Sequence, residues 1–455
     1  MREAATLILM RSPGDPHVYW VRRGDCAPFL AGFHVFPGGL VEARDSKRHG
    51  SDTVASARTA AIRETQEEIG ACVSGDDGLT KYLGAWIAPP YLVYPLKTHF
   101  FYRWVNADVI PRDAESDEVS DGEWIRPADA VERWNRGQVL IAPPTMAILR
   151  ALAEDGPEFP SAAFTSREAL GFEPTFSPVR PDMMMIPLRT PTLPPATHTN
   201  CYVLGGQELL VVEPASRDPA ALEAVFDYLD GRLAEGARIK AFVLTHHHHD
   251  HIGGIELCVA RYGGPVWAHK LTATRVPFEI HRHLDDGDQI LLSCGQSWRV
   301  LFTPGHAPGH ICLVEEETRS MIVGDMVAGV GSILVEPTDG DMSAYLRSLE
   351  MMQGERPTCL LPSHGPYVGC AERKLQAYVD HRLEREASLL RALAGTDQLI
   401  GLVEAVYVDV PSALRAGPSG GLAGLSLRAH LDKLVDDGRV IHGDDGRWRL
   451  VESVS

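Results

Sequence analysis

The chain has 455 residues, too many for one ordinary core, so two or three domains are expected. It carries 61 acidic residues against 43 Lys and Arg, a formal net charge of −18, mixed along its length. That balance argues against a broadly nucleic-acid-binding or membrane-binding surface, though a local basic patch stays open. The eight cysteines are scattered, with no Cys-x-x-Cys pair. Residues 4–10 are too short for a secretory core, and no run is long enough to cross a bilayer. A soluble chain with free thiols in a reducing cytoplasm is expected.

Residues 5–10 and 17–21 read as strands joined by Ser12-Pro13-Gly14-Asp15, a hairpin turn signal. Then come Phe33-His34-Val35-Phe36-Pro37-Gly38-Gly39, Glu42, and Ala60-Ala61-Ile62-Arg63-Glu64-Thr65-Gln66-Glu67-Glu68-Ile69-Gly70. On a helix Glu64, Glu67 and Glu68 share one face, while Ile62 and Ile69 fall on another side. A solvated surface tolerates three like charges. A bound Mg²⁺ or Mn²⁺ converts their repulsion into affinity, because hard cations take carboxylate oxygens.

Arg63-Glu64-x-x-Glu67-Glu68-x-Gly70 behind Gly38-Gly39 resembles the Nudix box. The resemblance implies a Nudix α/β/α sandwich over 1–155. It also implies Mg²⁺ or Mn²⁺ on Glu64, Glu67 and Glu68 as catalytic groups, and cleavage of a nucleoside diphosphate linked to another group. Two departures stand out: the loop from Gly39 to Arg63 is longer than the standard box, and Ala55 stands where a glutamate is usual, which leaves open whether Glu42 substitutes for it. The lead-in, with Trp124-Ile125-Arg126-Pro127 and Ala142-Pro143-Pro144-Thr145, resembles the Nudix branch that includes a coenzyme A diphosphatase. A degenerate site kept only for binding is the alternative.

Prolines are dense from Pro157 to Pro195, without a lasting helical or strand period, which reads as a connection over 156–181. The Met183–Met185 run reads as a strand or packing contact rather than a metal site. Residues 200–204 and 209–212 read as a hairpin across Gly205-Gly206, and 220–233 as a helix. After the apolar run 241–244 comes Thr245-His246-His247-His248-His249-Asp250-His251, then Gly253-Gly254. Neutral imidazole and carboxylate are ligands that Zn²⁺ prefers. A histidine tag is excluded, because the run is internal, interrupted by Asp250, and set between a strand and a glycine turn.

His246-x-His248-x-Asp250-His251 resembles the signature of the metallo-β-lactamase superfamily. The remaining parts follow in order, each behind an apolar strand: Thr303-Pro304-Gly305-His306, Gly324-Asp325 and Ser363-His364-Gly365. Ordered matches of this kind are specific. The resemblance implies an αββα sandwich over 182–371, with one sheet rim collecting the ligands. By it, His246, His248 and His306 hold one zinc; Asp250, His251 and His364 hold the second; Asp325 bridges, and Asp250 also serves catalysis. His310 competes with His306 for its place. Glu213 stands where the family usually has aspartate.

Residues 373–393 have a long amphipathic pattern, with Leu375, Tyr378, Val379, Leu383, Leu390 and Leu393. Leu427, Leu431, Leu434 and Val435 mark another helix, and 439–441 and 447–450 flank a Gly443-Asp444-Asp445-Gly446 hairpin signal. With Glu404-Ala405-Val406-Tyr407, this resembles the winged-helix extension of β-lactamase-like hydrolases, over 372–455. Asp432, Asp436 and Asp437 would repel phosphates.

The expected protein is a multi-domain α/β chain: a Nudix domain, a dinuclear zinc hydrolase and a winged helix, acting on small molecules. A thioester or other carbonyl ester is the expected zinc-site substrate. A zinc-dependent endoribonuclease is the alternative, disfavoured by the acidic balance, and a non-catalytic scaffold is disfavoured by the complete ligand set.

Overall fold

The protein is described from a computed structural model, in which all residues are described except 28, 48, 74–77, 89–95, 108, 110, 112–117, 157–175, 418 and 452–455. The chain divides into two compact units, Met1–Pro187 with Val368–Cys370, and Leu188–Tyr367 with Ala371–Ser455. The winged-helix region therefore belongs to the second unit. Most of the expected connection lies outside the described residues. At its end, Ser177–Arg180 forms a hairpin with Met183–Arg189, pairing Ser177 with Met185.

In the first unit one sheet runs in the order His34–Val35, His17–Arg23, Arg2–Arg11, Leu96–Trp104, Lys81–Ile87. Strand Arg2–Arg11 pairs antiparallel with His17–Arg23 and parallel with Leu96–Trp104. Alternate side chains of a strand leave on opposite faces, and here each face has a core. Leu7 and Leu9 pack with Ala57, Ala60, Ala61 and Ile69 of helix Thr53–Ile69. Ile8 and Met10 pack with Trp134 and Leu149, from helices Pro127–Asn135 and Pro143–Asp155. The result is the expected α/β/α sandwich. The helix bearing the glutamates starts well before Ala60, capped by Asp52, and ends on Gly70 with φ 61°. Much of the expected long loop is therefore helix.

The second unit has two sheets. One runs Arg282–His283, Val266–Ala268, Arg238–Val243, Glu208–Val212, His198–Leu204. The other runs Gln289–Leu291, Ser297–Phe302, Ile311–Glu315, Ser320–Gly324, Cys359–Pro362. Strands Ile311–Glu315 and Ser320–Gly324 are buried along their whole length, so both faces are covered and their apolar runs need not alternate. The ligand motifs leave the ends of strands in both sheets, not one rim as expected. The two sheets meet there, where Ile311 N–H donates to Thr245 O at 3.0 Å and Asn200 N–H to Ser363 O at 2.7 Å.

Helices Ala371–Ala392, Leu399–Val406 and Gly421–Asp436 and the hairpin Val440–His442/Trp448–Leu450 enclose a separate core. Leu389, Leu402, Val403, Leu427, Leu431, Val440 and Trp448 fill it. Leu383, part of the amphipathic pattern, and Val435, one of the residues that mark the last helix, are exposed.

His430 lies buried beside this core with neither ring nitrogen hydrogen-bonded. Burial, then the charges of Arg382, His381, Lys433 and Arg385, push its pKa down to about 3. Between that value and its ordinary 6.5, the unfolded chain binds a proton that the folded chain refuses, so stability falls as pH drops through this window. We expect the melting temperature of His430→Leu to decline less steeply than wild type between pH 6.5 and 4. His381, lowered to about 4, retains part of the slope. Identical slopes in calorimetry would show that His430 does not carry the effect.

Candidate metal centre

The histidine loop follows strand Arg238–Val243 and opens the short helix His249–Ile252. Gly253 and Gly254 are required by crowding: a Cβ on Gly254 would meet Pro214 O, and one on Gly253 would meet Ala215 O. The loop is thereby pressed against the turn after strand Glu208–Val212. Gly324, with φ 49°, brings Asp325 to the same place, and a Cβ there would collide with His310 Nε2.

The structure brings the seven expected side chains together. His248 Nδ1 lies 3.0 Å from His246 Nε2 and 2.9 Å from His306 Nε2. Asp250, His251 and His364 offer a second set of donor atoms within 4.8 Å of one another. Asp325 lies between the sets: Oδ2 is 3.5 Å from His251 Nε2 and 3.6 Å from His306 Nε2, and Oδ1 is 3.3 Å from His364 Nε2.

The outer contacts set which nitrogen carries each proton. Thr245 Oγ1 donates to Glu213 and can accept from His246 Nδ1 at 2.9 Å. His306 Nδ1 donates to Leu334 O at 2.8 Å, and His364 Nδ1 to His198 O at 2.9 Å. Each of these three rings then turns its Nε2 to the centre. His248 is reversed: Nε2 donates to Asp339 Oδ2 at 2.9 Å, leaving Nδ1 inward. His251 Nδ1 lies 3.1 Å from Glu213 Oε2, so its Nε2 faces the carboxylates.

The charges follow from burial and these neighbours. In the bare protein, burial and the surrounding imidazoles push His246 well below the usual histidine range. Burial lowers His306 to about 4, with Asp325 opposing. Burial also opposes charge on His251, but Glu213, Asp325 and Asp250 overcome it and raise its pKa. Burial would raise Asp325; His364 and His251 hold it far below the usual carboxylate range. Neither nitrogen of His251 nor Asp325 Oδ1 makes a hydrogen bond of good geometry, although both residues are buried. Converging ring nitrogens, a buried carboxylate between them and orphaned polar atoms are a donor set that fits bound metal.

His310 has a different place from His306. Its Nε2 accepts Asp325 N–H at 3.1 Å, so it supports the bridge position rather than pointing into the centre. Sequence reasoning missed Asp339. It lies 91 positions from His248, and nothing local marks it. With His247, His248, His249, Arg275 and Glu336, it lines a mouth of ≈ 420 Å³.

The Nudix-like motif is arranged otherwise. Gly39 packs against Glu64, whose carboxylate a Cβ would meet. Arg63 Nη1 donates to Glu64 at 2.7 Å and Glu67 at 2.8 Å, and the same guanidinium grips Asp45. Glu68 accepts Gly38 N–H at 2.9 Å, and burial raises it to about 7. Glu42 pairs with Arg44 at 2.8 Å instead of joining the helix glutamates. Glu118, which sequence reasoning did not single out, adds a like charge that raises both Glu64 and Glu68. Among the described residues, every group of three donor side chains closing within 4.8 Å lies in the second unit. The structure thus joins Glu64 and Glu67 through Arg63 and ties Glu68 to Gly38 N–H, rather than closing all three on one point.

Comparison with known proteins matches three regions of the chain. Residues 194–364 match the metallo-beta-lactamase superfamily, 1–142 the NUDIX domain and 401–448 the beta-lactamase associated winged helix domain. The chain is therefore a fused hydrolase with a Nudix domain, a metallo-beta-lactamase-fold domain and a winged helix. It is 28% identical over 260 residues to "Beta-lactamase-like protein 2 homolog" of Caenorhabditis elegans, covering 55% of this chain and 83% of that protein. It is 31% identical over 204 residues to "Atrochrysone carboxyl ACP thioesterase" of Aspergillus chevalieri, covering 44% of this chain and 62% of that one. A beta-lactamase domain protein from Burkholderia ambifaria shares the fold at 21% identity and a TM-score of 0.53, over 62% of this chain and 96% of that chain. No helix among the described residues is long and apolar enough to cross a membrane.

Glu213 is the test of how this centre is held. It is fully buried, so deleting its carboxylate strands Thr245, Ser363 and His251 together. In metal-free protein Glu213→Ala should cost about 3–5 kcal/mol of unfolding free energy. Glu213→Asp, one methylene shorter, should fall between it and wild type. A loss under about 1 kcal/mol for the alanine variant in denaturant titration would rule out this fastening role.

Proposed function

We propose that the second unit is a dinuclear zinc hydrolase of thioesters or other activated carbonyl esters. The observation carrying this reading is the inward convergence of His246 Nε2, His248 Nδ1 and His306 Nε2 beside the Asp250, His251, His364 set. His246, His248 and His306 would hold one ion, Asp250, His251 and His364 the other, with Asp325 shared. When bound, two zinc ions lower the pKa of water toward neutrality and take up negative charge developing on the carbonyl oxygen. Asp250 is partly exposed and its pKa is lowered. Burial opposes this, and His251 and His364 outweigh it. It stays ionised, able to orient water and accept its proton. The mouth carries Glu336 and Asp339 as well as Arg275, a mixed lining that suits a small acyl group better than a phosphate backbone. The thioesterase name of one relative points the same way.

For the first unit the reading is cleavage of a diphosphate such as coenzyme A, with Mg²⁺ or Mn²⁺ on Glu64, Glu67 and Glu68. There Arg63 already shares two of the carboxylates, so the ion must displace or join the guanidinium. The specific observation for the alternative, a fold kept only for binding, is that the three carboxylates do not close within 4.8 Å of one another. A reducing cytoplasm fits eight cysteines with no disulfide among the described residues.

Zinc-loaded protein should contain about two ions per chain by elemental analysis, and His306→Ala fewer. One ion or none in wild type would refute the dinuclear reading. An assay panel then separates the units. Glu67→Gln with Glu68→Gln should abolish Mg²⁺-dependent cleavage of coenzyme A and spare thioester hydrolysis; His248→Ala should do the reverse. Wild type that cleaves no diphosphate in Mg²⁺ or Mn²⁺ would leave the first unit a binding domain. Cleavage of RNA with no thioester turnover would favour the nuclease.

A further inference from the structure

Helix Ala371–Ala392 carries none of the ligand motifs, yet one stripe of it grips backbone. Lys374, Tyr378 and Arg382 are four apart and share a face. Lys374 Nζ donates to Gly329 O at 3.1 Å. Tyr378 Oη accepts Ala328 N–H at 2.9 Å and donates to Gly331 O at 3.0 Å. Arg382 Nη2 donates to Ile333 O. The guanidinium is buried and lies 5.2 Å from the centre of the Tyr345 ring, whose hydroxyl donates to Met326 O at 2.6 Å. Residues 326–334 form neither helix nor strand, so side chains must satisfy and shape their backbone.

That segment joins two parts of the metal centre. It begins immediately after Asp325. It ends at Leu334, whose carbonyl receives His306 Nδ1–H and so sets which nitrogen of His306 faces inward. Midway, Gly329 N–H donates to His364 O at 2.8 Å. A shift of the segment would therefore reach three of the proposed ligands through their own backbone or ring contacts.

We propose that the stripe Lys374, Tyr378 and Arg382 is a positioning device for the metal centre, and that holding segment 326–334 is a function of the C-terminal helical region. Tyr378 and Arg382 act through Gly331, Ile333 and Leu334 on His306, not by touching substrate. The effect on zinc rests on the dinuclear reading above. The hold on the segment does not.

The experiment uses the full chain with Tyr378→Phe, which removes one hydroxyl, and Arg382→Lys, which keeps the charge but loses the planar fork. Hydrogen exchange is read in the metal-free proteins, and zinc affinity by chelator competition. We expect amides of 326–334 to exchange at least about tenfold faster while strand Ile311–Glu315 keeps its wild-type rate, and zinc affinity to fall about tenfold. Wild-type exchange in 326–334 for both variants would overturn the proposal, as would equal acceleration through the whole unit. Faster local exchange with unchanged zinc affinity would overturn the positioning of the metal centre. Should Arg382→Lys fail to fold, Tyr378→Phe decides alone. Should wild type bind no zinc, the dinuclear reading fails, and the exchange pattern still decides whether the stripe holds the segment.

Discussion

The second unit depends on one buried carboxylate. Glu213 ends strand Glu208–Val212, turns inward with φ 54°, and has no exposed surface. A carboxylate in that place is costly unless it is fully paired, and here both oxygens are used. Oε1 takes the hydroxyl of Thr245; Oε2 takes that of Ser363 at 2.6 Å and lies 3.1 Å from His251 Nδ1. Those partners precede His246, precede His364, and form the ligand His251. One side chain therefore ties three loops that the chain keeps as much as 150 positions apart. The extra methylene relative to aspartate extends the arm that meets all three.

Around this tie, protons are placed by groups that are not donors to the centre. A threonine hydroxyl, two backbone carbonyls and the Asp339 carboxylate decide which nitrogen of each ring is free. Burial then keeps His246 and His306 neutral, the form that ligates. The first unit solves its charge problem differently. Glu64 and Glu67 are balanced by the protein's own Arg63, with Asp45 completing the network. Arg63 in turn is held charged, first by Asp45 and then by Glu64 and Glu67. One unit leaves lone pairs converging; the other arrives with a cation already among its carboxylates.

The C-terminal helices share the second unit's compactness rather than standing apart. Their own core is apolar, but the side turned to segment 326–334 is polar, with buried Arg382 and Tyr378 and half-buried Lys374 against carbonyls. His430 is kept neutral first by burial and then by the nearby positive charges, Arg382 foremost. The acidic surface of the last helix and this inward-facing polarity both fit a part that supports a site.

The sequence by itself determined the parts that are local. Strands ending in His-x-His-x-Asp-His, Gly-Asp or Ser-His-Gly were legible, because an apolar run, a glycine and its ligand lie within a few residues. The hairpin turn at Ser12–Asp15, the glutamate face of the helix and the C-terminal hairpin were legible for the same reason. Only the tertiary structure decided that the ligands come from the ends of two sheets, that His306 and not His310 turns inward, and that Asp339 orients His248. It alone showed Arg63 occupying the space among the glutamates and Leu383 facing water. Periodicity reports which side of one element a residue takes. Which distant loop it meets, and which of two nitrogens keeps a proton, depends on packing between segments far apart in the chain, and no local spacing encodes that.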